Sequence, residues 1–211
     1  APIPTEAELT RHYGVAIGTV RKAVDTLVNE GLLLRSQGRG TFLRRPNFET
    51  SLARFFRQVN AGGGREIPTS RILSMTLRTP SKTITDALKL IEGEEVVYME
   101  RLRMVEDRAL FHEEIWLSAS RFGALLEIDS ASFGELLYPL YEKQCGQCIA
   151  SAKETLTVGA ADKAMADTLS IKVGAPMVSI ERTALGYDRC PLEYRLSRAA
   201  ADGFRYQIEI S

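Results

Sequence analysis

Residues 4–45 read PTEAELTRHYGVAIGTVRKAVDTLVNEGLLLRSQGRGTFLRR, and this stretch decides how the rest of the chain is read. Pro4 followed by Thr5-x-x-Glu8 is a capping box, in which the threonine hydroxyl accepts from the Glu8 backbone N–H while the Glu8 carboxylate reaches back. The spacing predicts a helix over 6–13. Gly14 ends it, because glycine accepts the left-handed conformation that a sharp turn between helices needs. A second helix starts near Ile17 and stops before Gly31, with Val20, Ala23, Val24, Leu27 and Val28 at i, i+3, i+4, i+7 and i+8 forming one apolar stripe. Gly18, Thr19, Arg21, Lys22 and Asp25 take the opposite side. Leu9, Gly14, Val15 and Val20 have the spacing of the interior positions of a helix-turn-helix. Residues 32–34 and 41–43 predict two short strands around a basic, glycine-containing tip, a wing.

At 211 residues, 45% apolar and 26% charged, the chain can bury a core in one large or two modest domains without disulfide or metal staples. No run approaches the roughly 18 apolar residues of a membrane span. The opening Ala-Pro-Ile-Pro lacks the basic and apolar regions of a secretion signal, so a cytoplasmic protein with no membrane partner is expected. A net charge of zero hides an asymmetry: residues 1–46 carry seven Lys/Arg against four Asp/Glu, and residues 47–211 carry twenty against twenty-three. The first part is thus +3. Arg35, Arg39, Arg44 and Arg45 fall within eleven residues that hold no acid. Such a stretch either lies along phosphates or forms a solvated basic hairpin.

Beyond a polar stretch at 46–51, alternation predicts strands at 70–78, 95–105, 110–117, 149–158, 177–187, 192–198 and 204–210. Helical patterns occupy 81–90, 120–126, 133–143 and 160–169. Strands linked this closely leave no room for helical crossovers, which argues an α+β fold with a mainly antiparallel sheet. The expected organisation is a DNA-binding domain at 1–46, a linker at 47–52 and a second domain at 53–211. Cys145-Gly-Gln-Cys148 has the spacing of a redox dithiol or half a metal site. With His12 and His112 far off and no second CxxC, two small half-buried thiols are the simpler reading, and neither a metal nor a cofactor is expected.

Arg101 and Arg103, two apart on a strand, point to one face, while Leu102 and Met104 share the other. Burying guanidinium groups without partners is costly. That face therefore meets solvent, or it meets acids or an anionic ligand. His112 has no nucleophile motif, phosphate loop or metal set around it, so catalysis is not expected.

The run from Pro4 to Leu43 resembles the DNA-binding domain of GntR-type bacterial transcription regulators, with their PSE-x-x-L helix, GVS-x-x-TVR-x-A recognition helix, EGLL strand and QGxGTFV wing. The resemblance implies that Thr19 and Arg21, with Lys22 nearby, meet phosphates and base edges, that Gln37, Gly38 and Arg39 bring the wing tip to the minor groove, and that Thr5 faces a phosphate. Departures are Ala16 in place of the usual Ser or Thr, Ile17 and Gly18 in place of commonly polar residues, and Ala7 where Arg is frequent. The family also has a further helix before the Pro-x-Glu segment, which implies either a truncated chain or residues left unresolved there. After residue 53, an L-x-x-G-E helix end, the strand ending Arg101-Leu102-Arg103, an acid-bearing partner strand and the final Pro191-Leu192-Glu193-Tyr194 resemble the UTRA effector domain of the HutC-type branch, whose fold is chorismate-lyase-like. It implies an anion-binding pair in Arg101 and Arg103, polar contacts from Glu113, Glu193 and Tyr194, and a capping role for Arg54. The implied protein is a homodimeric repressor of double-stranded operator DNA controlled by a sugar phosphate, amino acid or related metabolite. A nonspecific architectural DNA-binding protein and a lyase-like enzyme are the alternatives.

Overall fold

The computed structural model describes residues 2–44, 68–105, 107–202 and 204. The linker expected at 47–52, Arg45, Arg54 and, apart from Phe204, the last expected strand lie outside these residues. Two compact units divide the chain, Ala1–Pro46 and Asn47–Ser211.

In the first unit α1 spans Glu6–Tyr13, and both halves of the capping box are made. Thr5 Oγ1 accepts from the Glu8 N–H at 3.3 Å, and the Glu8 carboxylate accepts the Thr5 N–H at 2.8 Å. Gly14, at φ +65°, closes the helix. Helix α2 spans Ile17–Asn29 and starts from Ala16, which gives no side-chain cap; the Thr19 N–H donates instead to the Ala16 carbonyl at 2.9 Å. The stripe is narrower than the five expected residues. Val20 and Val24 are buried with Leu33, and Ile3, Leu9 and Val28 pack at their edge, but Ala23 and Leu27 are exposed. Strands β1 (Leu33–Ser36) and β2 (Gly40–Leu43) pair antiparallel with Ser36 opposite Gly40. The wing tip is therefore Gln37, Gly38 and Arg39. Along β2 lies the amino-terminal segment, with Ile3 N–H donating to the Thr41 carbonyl at 2.8 Å.

The second unit is an α+β domain around a six-stranded antiparallel sheet formed by the described residues. Its strands are β3 (Thr69–Arg78), β4 (Val96–Val105), β5 (Arg108–Ser118), β6 (Ile149–Ala160), β7 (Pro176–Gly186) and β8 (Pro191–Ala200), in the order β3-β4-β5-β8-β7-β6. Strand β5 lies beside β8, not β6. To reach the far edge the chain makes an excursion over 119–148 through α4 (Ala119–Phe122), two 3-10 turns at 123–127 and 130–132, and α5 (Leu137–Cys145). Phe122, Leu125, Phe133, Leu137 and Tyr141 of this excursion pack on Val97, Met99, Ile115 and Leu117. Helix α5 starts four residues later than the pattern predicts, because Asp129 accepts from the Ala131 N–H at 3.0 Å to set a separate turn, and Phe133 stays extended.

The opposite sheet face carries α3 (Lys82–Leu88) over Val96 and Tyr194, and α6 (Lys163–Leu169) over Ala161 and Met177. Asp162 caps α6 by accepting from the Met165 N–H at 2.8 Å, which moves its start from 160 to 163. A sheet covered on both faces loses the simple apolar-in, polar-out alternation. Arg101 is 2% exposed and Arg103 0%, as deeply placed as Leu102 between them. The solvent reading of that face is thereby excluded.

Candidate functional site

Strand register assembles a charged belt on the face beneath the excursion. Arg101 stands opposite Glu113 and Glu113 opposite Ser197; one step along, Arg195 stands opposite Arg182 and Arg182 opposite Glu154. Each carboxylate is already engaged. Glu113 Oε2 takes Arg101 Nε at 2.7 Å and Nη2 at 2.5 Å, and Oε1 takes the Ser197 hydroxyl at 3.2 Å and Arg195 Nη1 at 3.5 Å. Glu193 accepts from Arg195 Nη2 at 2.6 Å, the Tyr141 hydroxyl at 2.9 Å and the Tyr138 hydroxyl at 3.0 Å. Arg182 donates through Nε to Glu154 at 2.6 Å and through Nη1 to the Tyr138 oxygen at 3.2 Å. Arg103 reaches the carbonyl of Glu135, in the excursion.

On this sheet face the unsatisfied groups are four guanidinium N–H positions and one hydroxyl. Arg101 Nη1, Arg103 Nε and Nη2, and Arg195 Nε are buried donors without a hydrogen-bond acceptor among the described residues. The Ser70 hydroxyl, on the β3 residue paired with Arg103, is likewise unpartnered. Leaving a buried polar group unmet costs on the order of 1–3 kcal/mol, and more when it is charged. Four guanidiniums here face three carboxylates that bond them, and the exposed Glu135 also acts on Arg103. These buried donors ask for an oxygen-rich anion.

The electrostatics agree. Burial pulls the Arg103 guanidinium down to about 10, and Arg101 beside it adds to that, only partly offset by Glu113. Burial alone would push the Glu113 carboxyl up, but Arg101, Arg195 and Arg103 overcome it and hold it at about 2. The Tyr141 phenol is raised well above its ordinary range by burial and then by Glu193, so it stays a donor. Arg195, against burial, is held charged by Glu193 and Glu113.

Arg101, Arg103, Glu113 and Glu193 thus come together as the sequence suggests, while Tyr194 does not. Neighbouring strand residues point to opposite faces, so Tyr194 cannot join Glu193; it packs near Trp116 and α3, where burial and Glu181 push its phenol up to about 12. Arg195 is the residue missed at that strand, although it stands two from Glu193, the same spacing that pairs Arg101 with Arg103. Tyr138 and Tyr141, three apart on α5, were visible as a spacing but carry no local sign of the sheet they meet. Arg54 lies outside the described residues. His112 is buried on the opposite face with Nε2 2.7 Å from Glu100. Cys145 ends α5 and Cys148 precedes β6; both are thiols, and burial raises that of Cys145, opposite to what a reactive dithiol needs. No metal-ligating cluster occurs among the described residues.

In the first unit Thr19, Arg21 and Lys22 are exposed along α2, and Gln37, Gly38 and Arg39 are exposed at the wing tip. Thr5 serves α1: its hydroxyl donates to Glu8 at 2.8 Å while accepting from the Glu8 N–H. Arg21 leans on Glu6, with Nε and Nη2 both 3.1 Å from Oε2. Arg35 lies 3.4 Å from the other Glu6 oxygen and 2.7 Å from Asp25.

A basic winged helix-turn-helix joined to a domain with a buried arginine cradle is the form of a ligand-responsive transcription regulator. Residues 1–43 match the bacterial regulatory proteins of the gntR family, and residues 63–205 match the UTRA domain. The chain belongs to the gntR family, among the members that carry a UTRA domain, a family of DNA-binding transcription regulators and not of enzymes. It is 28% identical over 208 residues to the HTH-type transcriptional repressor NagR of Bacillus subtilis (strain 168), covering 97% of this chain and 84% of that protein. It is 27% identical over 209 residues to the HTH-type transcriptional regulator GgaR of Escherichia coli (strain K12), covering 98% and 81%. Among solved structures, the ligand-binding domain of a GntR-family transcriptional regulator from Bordetella bronchiseptica aligns with TM-score 0.63 at 29% identity, over 67% of this chain and 89% of that one. PhnF from Mycobacterium smegmatis aligns with TM-score 0.63 at 22% identity, over 100% and 92%, a likeness of fold.

Proposed function

We propose that this chain is a cytoplasmic, homodimeric repressor of the HutC type whose operator affinity is set by an anionic metabolite held at Arg101, Arg103 and Arg195. Residues 1–46 bind DNA, residues 47–52 link, and residues 53–211 bind the effector and dimerise. The observation that carries this reading is the set of buried guanidinium N–H groups on β4 and β8 that find no acceptor among the described residues. All are donors, which favours a phosphate ester or another oxyanion over an amine. Glu113 and Glu193, expected as effector contacts, are engaged by the chain's own donors and act by holding the arginines in place.

Two recognition helices roughly 34–36 Å apart would meet successive major grooves, giving an inverted-repeat operator. Thr19, Arg21 and Lys22 on α2, with Gln37, Gly38 and Arg39 on the wing, are the DNA-facing residues. The repressor name of the NagR relative supports the sign of the response.

A thermal-shift panel of inorganic phosphate, sugar phosphates and amino acids tests the effector reading. A ligand present at 100 times its Kd stabilises the native state by about 2.7 kcal/mol. The stabilising compound is expected to be a phosphate ester, and Arg101→Ala and Arg103→Ala are expected to abolish its shift. Equal stabilisation of both variants and the parent would overturn the arginine assignment.

A further inference from the structure

In the first unit, charges of alternating sign run Arg21, Glu6, Arg35, Asp25 across three elements: the start of α1, the exposed side of α2 and the first wing strand. Glu6 is the junction. One of its oxygens grips the inner edge of the Arg21 guanidinium, Nε and Nη2, and the other meets Nη2 of Arg35. Arg21 and Asp25 are i, i+4 on α2, so both ends of the chain fall on one helix face. The Arg21 side chain stays 59% exposed with a carboxylate against its Nε and Nη2 edge.

We infer that Glu6 is a positioning residue that makes DNA binding selective, fixing the pose of Arg21 and Arg35 while holding back their charge from phosphates. The inference rests on the assignment of Arg21 to the DNA surface. A phosphate approaching Arg21 is attracted by the guanidinium and repelled by Glu6, and nonspecific affinity comes from phosphate charge alone. Random duplex therefore gains little from Arg21. A duplex whose groups suit the held pose of Arg21 offsets the repulsion through directed hydrogen bonds. Selectivity then comes from suppressing the wrong complexes as much as from favouring the right one. This matters in a head where Ala16, Ile17 and Gly18 offer few polar side chains to base edges.

The test uses the full chain, a duplex enriched from a random library by that chain, and random-sequence duplex of equal length. Glu6→Gln keeps the side-chain shape and removes the charge. It is expected to raise affinity for random duplex by about fivefold at physiological salt and to steepen the dependence of log Kd on log salt by about one. Affinity for the enriched duplex should rise less, so the ratio between the two falls. Asp25→Asn, which frees only Arg35, should lower the ratio in the same direction by a smaller factor, and it stands in if Glu6→Gln proves poorly folded. In an Arg21→Ala background the effect of Glu6→Gln on the ratio should shrink to the smaller change that freeing Arg35 gives. An unchanged ratio, or equal loss on both duplexes, overturns the inference. If Arg21→Ala alone changes neither affinity, the assignment of Arg21 to DNA fails, and the ground for the inference goes with it.

Discussion

Both units of this chain use arginine and glutamate, yet they place them in opposite surroundings. On the DNA-binding head Arg21 and Glu6 keep side-chain exposures of 59% and 30%, whereas Arg101 and Glu113 in the second unit keep 2% and 5%. An exposed pair is worth about 0.2–1 kcal/mol and is screened by salt. It can exchange one partner for another, which suits a surface that must let go of DNA. A buried pair that loses one member costs about 3–5 kcal/mol, because the remaining charge is left stranded. The same chemistry thus gives a reversible surface in one unit and a preset cradle in the other.

The sharpest way to break this contrast is Glu113→Gln, which removes the carboxylate that Arg101 and Arg195 share. We expect a loss of about 3–5 kcal/mol in the second unit, read from urea unfolding by the fluorescence of Trp116, the chain's one tryptophan. A loss below about 1 kcal/mol would mean that the cradle is as exchangeable as the head. Acid gives the next largest effect. Glu113 titrates at about 2 when folded against an ordinary 4.5, so its contribution is complete above pH 4.5 and is lost as pH falls from there towards 2. The expected loss is about 3 kcal/mol, absent from Glu113→Gln, and parallel acid profiles for the two proteins would contradict it. The head should respond least. Thr5→Ala removes the α1 cap and should cost about 1 kcal/mol, seen as about fivefold faster hydrogen exchange over residues 6–13 and no change at Trp116.

The head is the more legible unit because its signals are local. Capping box, turn glycine and wing tip each occupy a few consecutive residues, and each determines its own backbone. Periodicity shows which side Ala23 and Leu27 take and not how far a two-strand wing can cover them, so both stay exposed. In the second unit the strands were readable from alternation, and Arg101 with Arg103 from their spacing. Which elements meet them was not. The pairing of β5 with β8 brings Glu193, Arg195 and Ser197 to Glu113, and the excursion brings Tyr138 and Tyr141; both facts belong to topology, which no stretch of either strand encodes. Tyr194 was placed with Glu193 against the plain alternation of a strand, an error that the residues themselves could have prevented.

The position of β8 between β5 and β7 has a consequence in time. Arg101 and Glu113 sit on a hairpin that can close early, but the bonds of Ser197 and Arg195 to Glu113 span 84 and 82 residues of chain. Contacts this distant in sequence carry a large closure entropy and form late. The cradle is therefore complete only when the central strand is laid in. If the proposed effector bridges β4 and β8, it would stabilise the product of that last step and slow its reversal, and its supply would lengthen the lifetime of the folded domain.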